Sequence, residues 1–413
     1  MNSSRKPPAA RKAAHGSGAA VWPAQGTGAE GQAIMSEHFE TIVIGGGQAG
    51  LAMGYHLSRL KRPFVILDGN ARTGDSWRMR WDSLRLFTPA RYDALPGSRY
   101  PAAPWSYPSR EEFADYLASY AEKFQLPVKH NVEVTRLGHN GSSFVLQAGG
   151  QHFEADNVVV APGWDRKPKV PAFAQQLNPN IRQLTAGSYR NPGDLAPGPV
   201  LVVGAGNSGA DIALELAATR RTYLSGRHPG EIPWPIDAVA ARPLTLAVFF
   251  AFSHVLNLNT PAGRKARPQI LAHSGPLVRV KNRDLLRAGV ERVPRTEGTA
   301  TEGTSKGLPL LADGRTLEVA NVVWCTGFRP DLAWIDLPVF GPDGEPDHDR
   351  GVAKAQPGLY FLGATFQQSL ASSMVNGVGR DAAFIARRIA ARERQAPAPP
   401  QKEVRPEGSA APQ

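Results

Sequence analysis

Two glycine-rich runs in this 413-residue chain have the spacing of a phosphate cradle. In TIVIGGGQAGLAMGYHLSRLKRPFVILD, an apolar strand (41–44) meets Gly45, Gly47 and Gly50 in the pattern G-x-G-x-x-G. A helix opening on Gln48 and Ala49 follows, and a second strand (64–67) closes on Asp68. Each residue type has its reason. Gly45 permits a tight turn, Gly47 lets the backbone approach a pyrophosphate, and Gly50 lets helix pack on strand. The helix N-terminus adds unpaired N–H groups and a positive dipole end, and Asp68 can accept hydrogen bonds from a ribose. The device recurs mid-chain in VLVVGAGNSGADIALEL, with Gly204, Gly206 and Gly209 and with Asn207 and Ser208 in the first helical turn. Its second strand, TYLSG, ends in Arg227 and His228 instead of an acid. An arginine there accommodates the 2′-phosphate of NADPH, the alternative being that Arg227 is a plain surface charge. A chain with two such loops holds two dinucleotides, and the economical pairing is FAD in the first and NADPH in the second.

No other constellation carries chemistry. Cys325 is the one cysteine, which excludes a disulfide framework, a CxxC redox pair and a thiolate metal cluster. His56, His130, His139, His152, His254 and His348 are scattered without ligand spacing, and no metal site is expected. No Ser-His-Asp set or carboxylate pair stands out, so no catalytic residue is assigned. Asn207 and Gln368 are the polar side chains expected near the cofactors.

These loops need two layered α/β units to hold them. The fold class expected is α/β with two Rossmann-like dinucleotide-binding domains, the NADP domain inserted into a discontinuous FAD domain. The FAD domain is placed at 36–165 and 320–394 and the NADP domain at 166–319, with the strands at 156–161 and 319–325 as crossings. Further strands are expected at 128–137, 143–148 and 152–160, then in LPLLADGR, TLEVANVVW and GLYFLGATF. SREEFADYLASYAEKF (109–124) reads as a helix with a capping box, Ser109 at N-cap and Glu112 at N3. An apolar helix at 244–257 is read as a core or substrate-channel wall, being too short to span a bilayer at about 20 residues. SSMVNGVGRDAAFIARRIAAR gives a turn and an amphipathic last helix.

The net charge of +11 comes from cations spread along the chain, which fits surface and anionic-cofactor pockets and not a nucleic-acid face. The 42% hydrophobic content is that of an ordinary globular chain. Residues 1–35 and 395–413 are rich in Pro, Ala and Gly and are expected to be a disordered extension and tail, with Met35 as the natural start. The lone cysteine and the absence of a secretory signal fit a cytoplasmic setting.

With these residues in view, the chain resembles the flavin-containing monooxygenases. The likeness rests on GGGQAG, GAGNSG, GDSW (74–77), the turns Ala161-Pro162-Gly163 and Cys325-Thr326-Gly327-Phe328, and Arg227, and it covers about 36–394. WDSLRLFTPARY, YRNP and GVGRDA read like the bacterial YUCCA-like branch. The resemblance implies a class B-like flavoprotein monooxygenase acting with O2 on a small organic molecule, for which the apolar 244–257 stretch suggests a hydrophobic character. NADPH would reduce the flavin at N5, O2 would add at C4a, and one oxygen would pass to nitrogen, sulfur or a carbonyl. It implies FAD contacts from Gly45, Gly47, Gly50, Asp68, Trp77 and Val134, with Gly74 and Asp75 in the GDSW segment. It implies NADPH contacts from Gly204, Gly206, Ser208, Gly209, Arg227 and the Thr326-Gly327-Phe328 turn, and places Gly363 and the last helix near Gly377 and Gly379 at the flavin.

Two departures bear on the outcome. The family fingerprint Phe-x-Gly-x-x-x-His-x-x-x-Tyr/Phe keeps only Tyr189, with Pro179, Ile181 and Thr185 in place of Phe, Gly and His. The usual Ala-Thr-Gly turn is Ala161-Pro162-Gly163, whose proline lacks an N–H and a hydroxyl. Both are read as lying in linkers, and they leave open an NADPH-dependent oxidase releasing hydrogen peroxide. A non-catalytic redox sensor is the reading from another class. A homodimer is left open.

Overall fold

The computed structural model describes residues 36–164, 166–236, 238–272 and 275–395, so the expected extension 1–35 and the tail beyond Gln395 lie outside the described residues. The first strand is longer than the apolar run that announces it, Ser36–Ile44. It pairs in parallel with Gln151–Val160 along its length, from Ser36 opposite His152 to Ile44 opposite Val160, and with Val65–Leu67 at its C-terminal half. These strands are the centre of a nine-stranded sheet. Its order runs His348–Asp349, Val352–Ala353, Leu359–Phe361, Gln151–Val160, Ser36–Ile44, Val65–Leu67, Val128–Lys129. The hairpin of Val134–His139 and Phe144–Ala148 joins it antiparallel at Gln151–Val160.

Alternation divides the side chains between two cores. Val43, Ile66 and Val159 pack under helices, whereas Ile42, Ile44, Val65, Leu67, Val158 and Val160 pack against the hairpin side. Truncating any of the larger ones to alanine removes about 2–5 kcal/mol. The helical layer holds α1 (Gln48–Arg59), the single turn α2 (Asp75–Arg78) and α3 (Arg110–Lys123). The α3 capping box is present: Glu112 N donates to Ser109 Oγ at 3.2 Å and Ser109 N to Glu112 Oε2 at 2.7 Å.

The second sheet has five parallel strands in the order Glu291–Val293, Thr222–Ser225, Val200–Val203, Asn321–Trp324, Arg182–Thr185. α4 (Asn207–Ala217) packs on its strands and α7 (Asn282–Arg287) packs beside α4, whereas α5 (Arg242–His254) packs on the Leu370–Ser373 turn, with α6 (Pro261–Ala272) following it in the chain. The last helix, α8 (Val375–Gln395), returns to the first unit, burying Val378, Ala382, Ile385, Ala386 and Ile389 in the core shared with Leu51, Met53 and Leu57 of α1.

Several expectations need correction. The segment from 320 does not rejoin the first unit, because Asn321–Trp324 lies between Val200–Val203 and Arg182–Thr185 in the second sheet. The two crossings come later and pair with each other: Lys167–Pro168 runs antiparallel to Phe328–Arg329, with Lys169 N donating to Gly327 O at 2.9 Å. Residues 128–137 form two strands, broken where Asn131 adopts φ +58° and donates its N–H to Asn70 O. Asparagine tolerates that left-handed conformation. The 244–257 helix, observed at Arg242–His254, is not a core element, since only Thr245 and Phe249 in it are buried. α6 and α7 are additions to the expected elements; Pro268 inside α6 and its Arg/Lys-rich face hide the helical period.

Candidate active site

The two glycine loops are near-copies in space. Gly45 has φ +107°, and a Cβ there would stand 2.3 Å from Ala161 O. Gly204 has φ +110°, and its Cβ would stand 2.2 Å from Cys325 O. Both positions demand glycine twice over, for backbone hand and for room. Gly50 and Gly209 let each helix sit on its own loop: a Cβ would lie 1.9 Å from Gly45 O in one and 1.8 Å from Gly204 O in the other. Gly47 and Gly206 cap α1 and α4 with φ, ψ of −78°, −171° and −75°, −173°. The first intrahelical bonds are Leu51 N to Gly47 O and Ala210 N to Gly206 O, which leaves the preceding N–H groups outside the helical ladder. At Gly47 a Cβ would meet nothing within 4 Å, so the backbone faces open space of the kind a pyrophosphate fills.

Both helix ends reach one cavity of about 570 Å³. From the first unit it is lined by Gly45, Gly47, Gln48, Ala49, Asp68, Trp77 and Val134; from the second by Asn207 and Ser208; and by Phe328 and Gly363 where the chain returns. Trp77 donates its indole N–H to Gln48 Oε1 at 3.3 Å and packs edge-on to Phe113, which fixes that wall. Asp68 is buried, with Oδ1 accepting from the Asn70 backbone and side-chain N–H groups at 3.2 and 2.8 Å. Gly363, at φ +90°, would bring a Cβ to 3.4 Å from Ala49.

Other expected residues stand outside this wall. Gly50, Gly204, Gly206 and Gly209 shape the loops from behind or beside it. Gly74, at φ +92°, is glycine because a Cβ would stand 2.5 Å from Ala114 O, so it seats α2 on α3. Asp75 is paired with Arg72 at 2.7 Å and Arg78 at 3.3 Å. Gly377 has the same kind of role, its Cβ position lying 1.8 Å from Ala371 O beneath α8. The Thr326 hydroxyl donates to Lys169 O, so Thr326 and Gly327 clasp the paired crossings. Arg227 is exposed just beyond Gly226, whose Cβ position is 3.2 Å from Ala205 N in the second loop. His228 turns away: its Nδ1 accepts from Gly230 N at 3.0 Å. Asn207 lines the cavity but its amide is engaged, donating to Pro276 O and accepting from Val278 N, both at 3.0 Å. Gln368 is not in the wall; its carbonyl accepts from Leu258 N at 2.8 Å.

The fingerprint segment is also placed differently from expectation. Arg182–Thr185 is an edge strand of the second sheet and not a linker, with Thr185 Oγ1 accepting from Ser188 N at 3.2 Å. Tyr189 is buried and donates to Glu215 Oε2 at 2.7 Å, tying that strand to α4.

Three polar features of the site lie beyond the sequence expectations. Asp211, one turn into α4, lines the cavity and is ion-paired with Arg279 at 2.8 Å; burial raises its carboxyl pKa while Arg279 pulls the other way. The Arg80 guanidinium lies 5.6 Å over the Phe328 ring, cation against aromatic wall. Asp93 is fully buried, accepts from the Thr88 hydroxyl at Oδ1 and has no partner at Oδ2. Burial pushes its pKa up to about 8 against the pull of Thr88, so it is neutral at pH 7. Thr88 itself lines the cavity. The run LRLFTPARYD holds both residues, but burial is a tertiary fact that no local pattern carries.

A family model described as pyridine nucleotide-disulphide oxidoreductase matches residues 42–230. An uncharacterised CzcO-like oxidoreductase of Geobacillus kaustophilus is 38% identical, over 85% of this chain and 98% of that protein. A probable indole-3-pyruvate monooxygenase of Arabidopsis thaliana, YUCCA3, is 30% identical over 85% of this chain and 86% of its own. Among solved structures, a flavin-containing monooxygenase from Stenotrophomonas maltophilia aligns with a TM-score of 0.67 at 30% identity, covering 86% of this chain and 99% of that one. The single cysteine leaves no dithiol for the disulphide chemistry in the family model's description.

Proposed function

This chain belongs to the flavin-containing monooxygenase family, in its YUCCA-like branch, and from that premise we propose that it binds FAD at the Gly45–Gly50 loop and NADPH at the Gly204–Gly209 loop. The pair serves to place one atom of O2 on a small hydrophobic molecule, at nitrogen, at sulfur or at a carbonyl. The observation that carries this is the single cavity of about 570 Å³ that both helix ends reach. When bound, the two cofactors supply hydride transfer from nicotinamide to flavin and the activation of oxygen on the reduced ring.

The chain's own groups do the rest. N–H groups at the starts of α1 and α4 hold the pyrophosphates, each assisted by its helix dipole. Asp68 holds an adenosine ribose from the end of Val65–Leu67, and Arg227 takes the 2′-phosphate from the matching place in the second sheet. Trp77, Trp81, Phe87 and Trp164 wall the cavity and keep water from the reacting atoms. Trp164 is fixed by its indole N–H, which donates to Leu362 O at 3.0 Å. Thr88 presents a hydroxyl whose proton is directed at Asp93, which leaves its oxygen lone pairs for the cavity. NADPH consumption, O2 uptake, peroxide release and product formation, followed together over amines, sulfides and ketones, test the reading. Consumption matched by oxygenated product supports it. Consumption matched wholly by hydrogen peroxide with every class assigns an oxidase instead, the reading favoured by Pro162, which lines the cavity without the N–H and hydroxyl of a threonine. Protein that takes up no FAD overturns both.

A further inference from the structure

Helices α5 and α6 are poorly covered: only Thr245 and Phe249 of α5 are buried, and most of α6 is exposed. In α5, eight of thirteen residues are Leu, Ala, Val or Phe, yet Leu244, Leu246 and Phe250 are 49%, 39% and 59% exposed. Pro243, Leu246, Ala247, Phe250 and His254 are exposed at helical spacing, which makes one continuous face. Val255 and Leu271 extend the apolar surface beyond it. Scattered apolar residues need no explanation; a contiguous face marks something that covers it. The hairpin is held firmly enough to present that face. Leu258 N donates to Gln368 O at 2.8 Å, Leu370 N to Leu256 O at 2.9 Å, and the Phe249 ring stacks on Tyr92 at 3.9 Å.

Charge identifies the cover. From Ala238 to Arg283 there is no Asp or Glu, while the stretch contains seven Lys and Arg. Five of these have partners within the fold: Arg279 pairs with Asp211, Arg283 with Asp284 at 3.6 Å, Lys281 donates to Ile232 O at 2.7 Å, Arg264 donates one guanidinium N–H to Leu258 O at 3.0 Å, and Arg242 lies over the Trp105 ring. Arg264, Lys265 and Arg267 of α6 are exposed. A second copy docked face to face about a two-fold axis would set this acid-free segment against itself, cation to cation. No helix among the described residues is long and apolar enough to cross a membrane, so the face has to lie on its cover and not pass through it.

We infer that the α5–α6 hairpin docks this protein on an anionic bilayer surface, the α5 face entering the headgroup boundary and the α6 cations meeting lipid phosphates. The inference does not rest on the reading of the active site. The test is co-sedimentation of the flavin-loaded full chain with vesicles of phosphatidylglycerol and phosphatidylethanolamine, against vesicles of phosphatidylcholine alone, at low and high salt. Binding to the anionic vesicles is expected, weakened by salt and by neutral lipid. The double variant Leu246→Glu, Phe250→Glu should lose about tenfold or more in partition, with melting temperature and flavin content unchanged. Each of Arg264→Gln, Lys265→Gln and Arg267→Gln should weaken it about fivefold and flatten its salt dependence. Absence of binding at low salt overturns the inference, as does binding that the double variant leaves intact. So does a dimer in light scattering that the double variant splits while vesicles go unbound.

Discussion

Replacing Asp93 by asparagine should stabilise the protein progressively as pH rises. The amide copies the neutral carboxyl in size, keeps an oxygen to accept from Thr88, and carries no ionisation. In the native state the carboxyl titrates at about 8, against an ordinary value of 3.8. A raised carboxylate pKa means that the folded state holds a proton the unfolded state has released. Its contribution is therefore intact below the unfolded pKa and is lost as pH climbs toward the folded one. At 1.36 kcal/mol per pKa unit, the penalty is about 2 kcal/mol at about pH 5 and about 6 kcal/mol at about pH 9. The difference, about 4 kcal/mol, is what Asp93→Asn removes, and other titrating groups cancel in the comparison. At about 2–4 °C per kcal/mol for a domain of 150–250 residues, the gap in melting temperature between variant and parent should widen by about 8 °C or more over that range. Thermal melts of both proteins in matched buffers read this directly. A gap that stays constant with pH refutes the buried neutral carboxyl.

Other outcomes follow from the same geometry. Arg227→Ala should weaken NADPH about tenfold or more in a binding titration and leave NADH unchanged, since the 2′-phosphate is its partner; equal losses for both would remove that role. Gly209→Ala puts a Cβ 1.8 Å from Gly204 O, so the second loop must open. NADPH binding should fail while flavin content holds, and loss of flavin as well would deny that the two cradles are separate. Tyr189→Phe removes the 2.7 Å bond to Glu215 and should lower stability by about 1.5–3 kcal/mol in denaturant melts, whereas an unchanged midpoint would show the pair to be idle.

The glycine loops are legible in the sequence because everything they require is local. Turn, close approach and helix start are all fixed within about ten residues of chain. The capping box of α3 is legible for the same reason. The strand Asn321–Trp324 is not, since an apolar run declares a buried strand but not which sheet receives it. α6 escapes notice because Pro268 and its basic face break the apolar period that marks a helix. Gly74 and Gly377 read as cofactor contacts in the sequence. For Gly74 the necessity comes from Ala114, forty residues on and brought near only by folding, and for Gly377 from Ala371, whose carbonyl sits beneath the first turn of α8. Thr88 and Asp93 show the limit most plainly: five residues apart in a loop, they become a cavity wall and its buried support only when the helices close over them.

The two crossings between the units run side by side, Lys167–Pro168 bonded antiparallel to Phe328–Arg329. Two separate tethers would let the units slide as well as turn. A single laced strap resists sliding and leaves rotation about its own length as the soft direction. Phe328 is stitched into that strap and also faces the cavity, beneath Arg80. Any swing of one nucleotide cradle toward the other therefore swivels an aromatic ring in the chamber, and the width of the chamber is geared to the angle between its two halves.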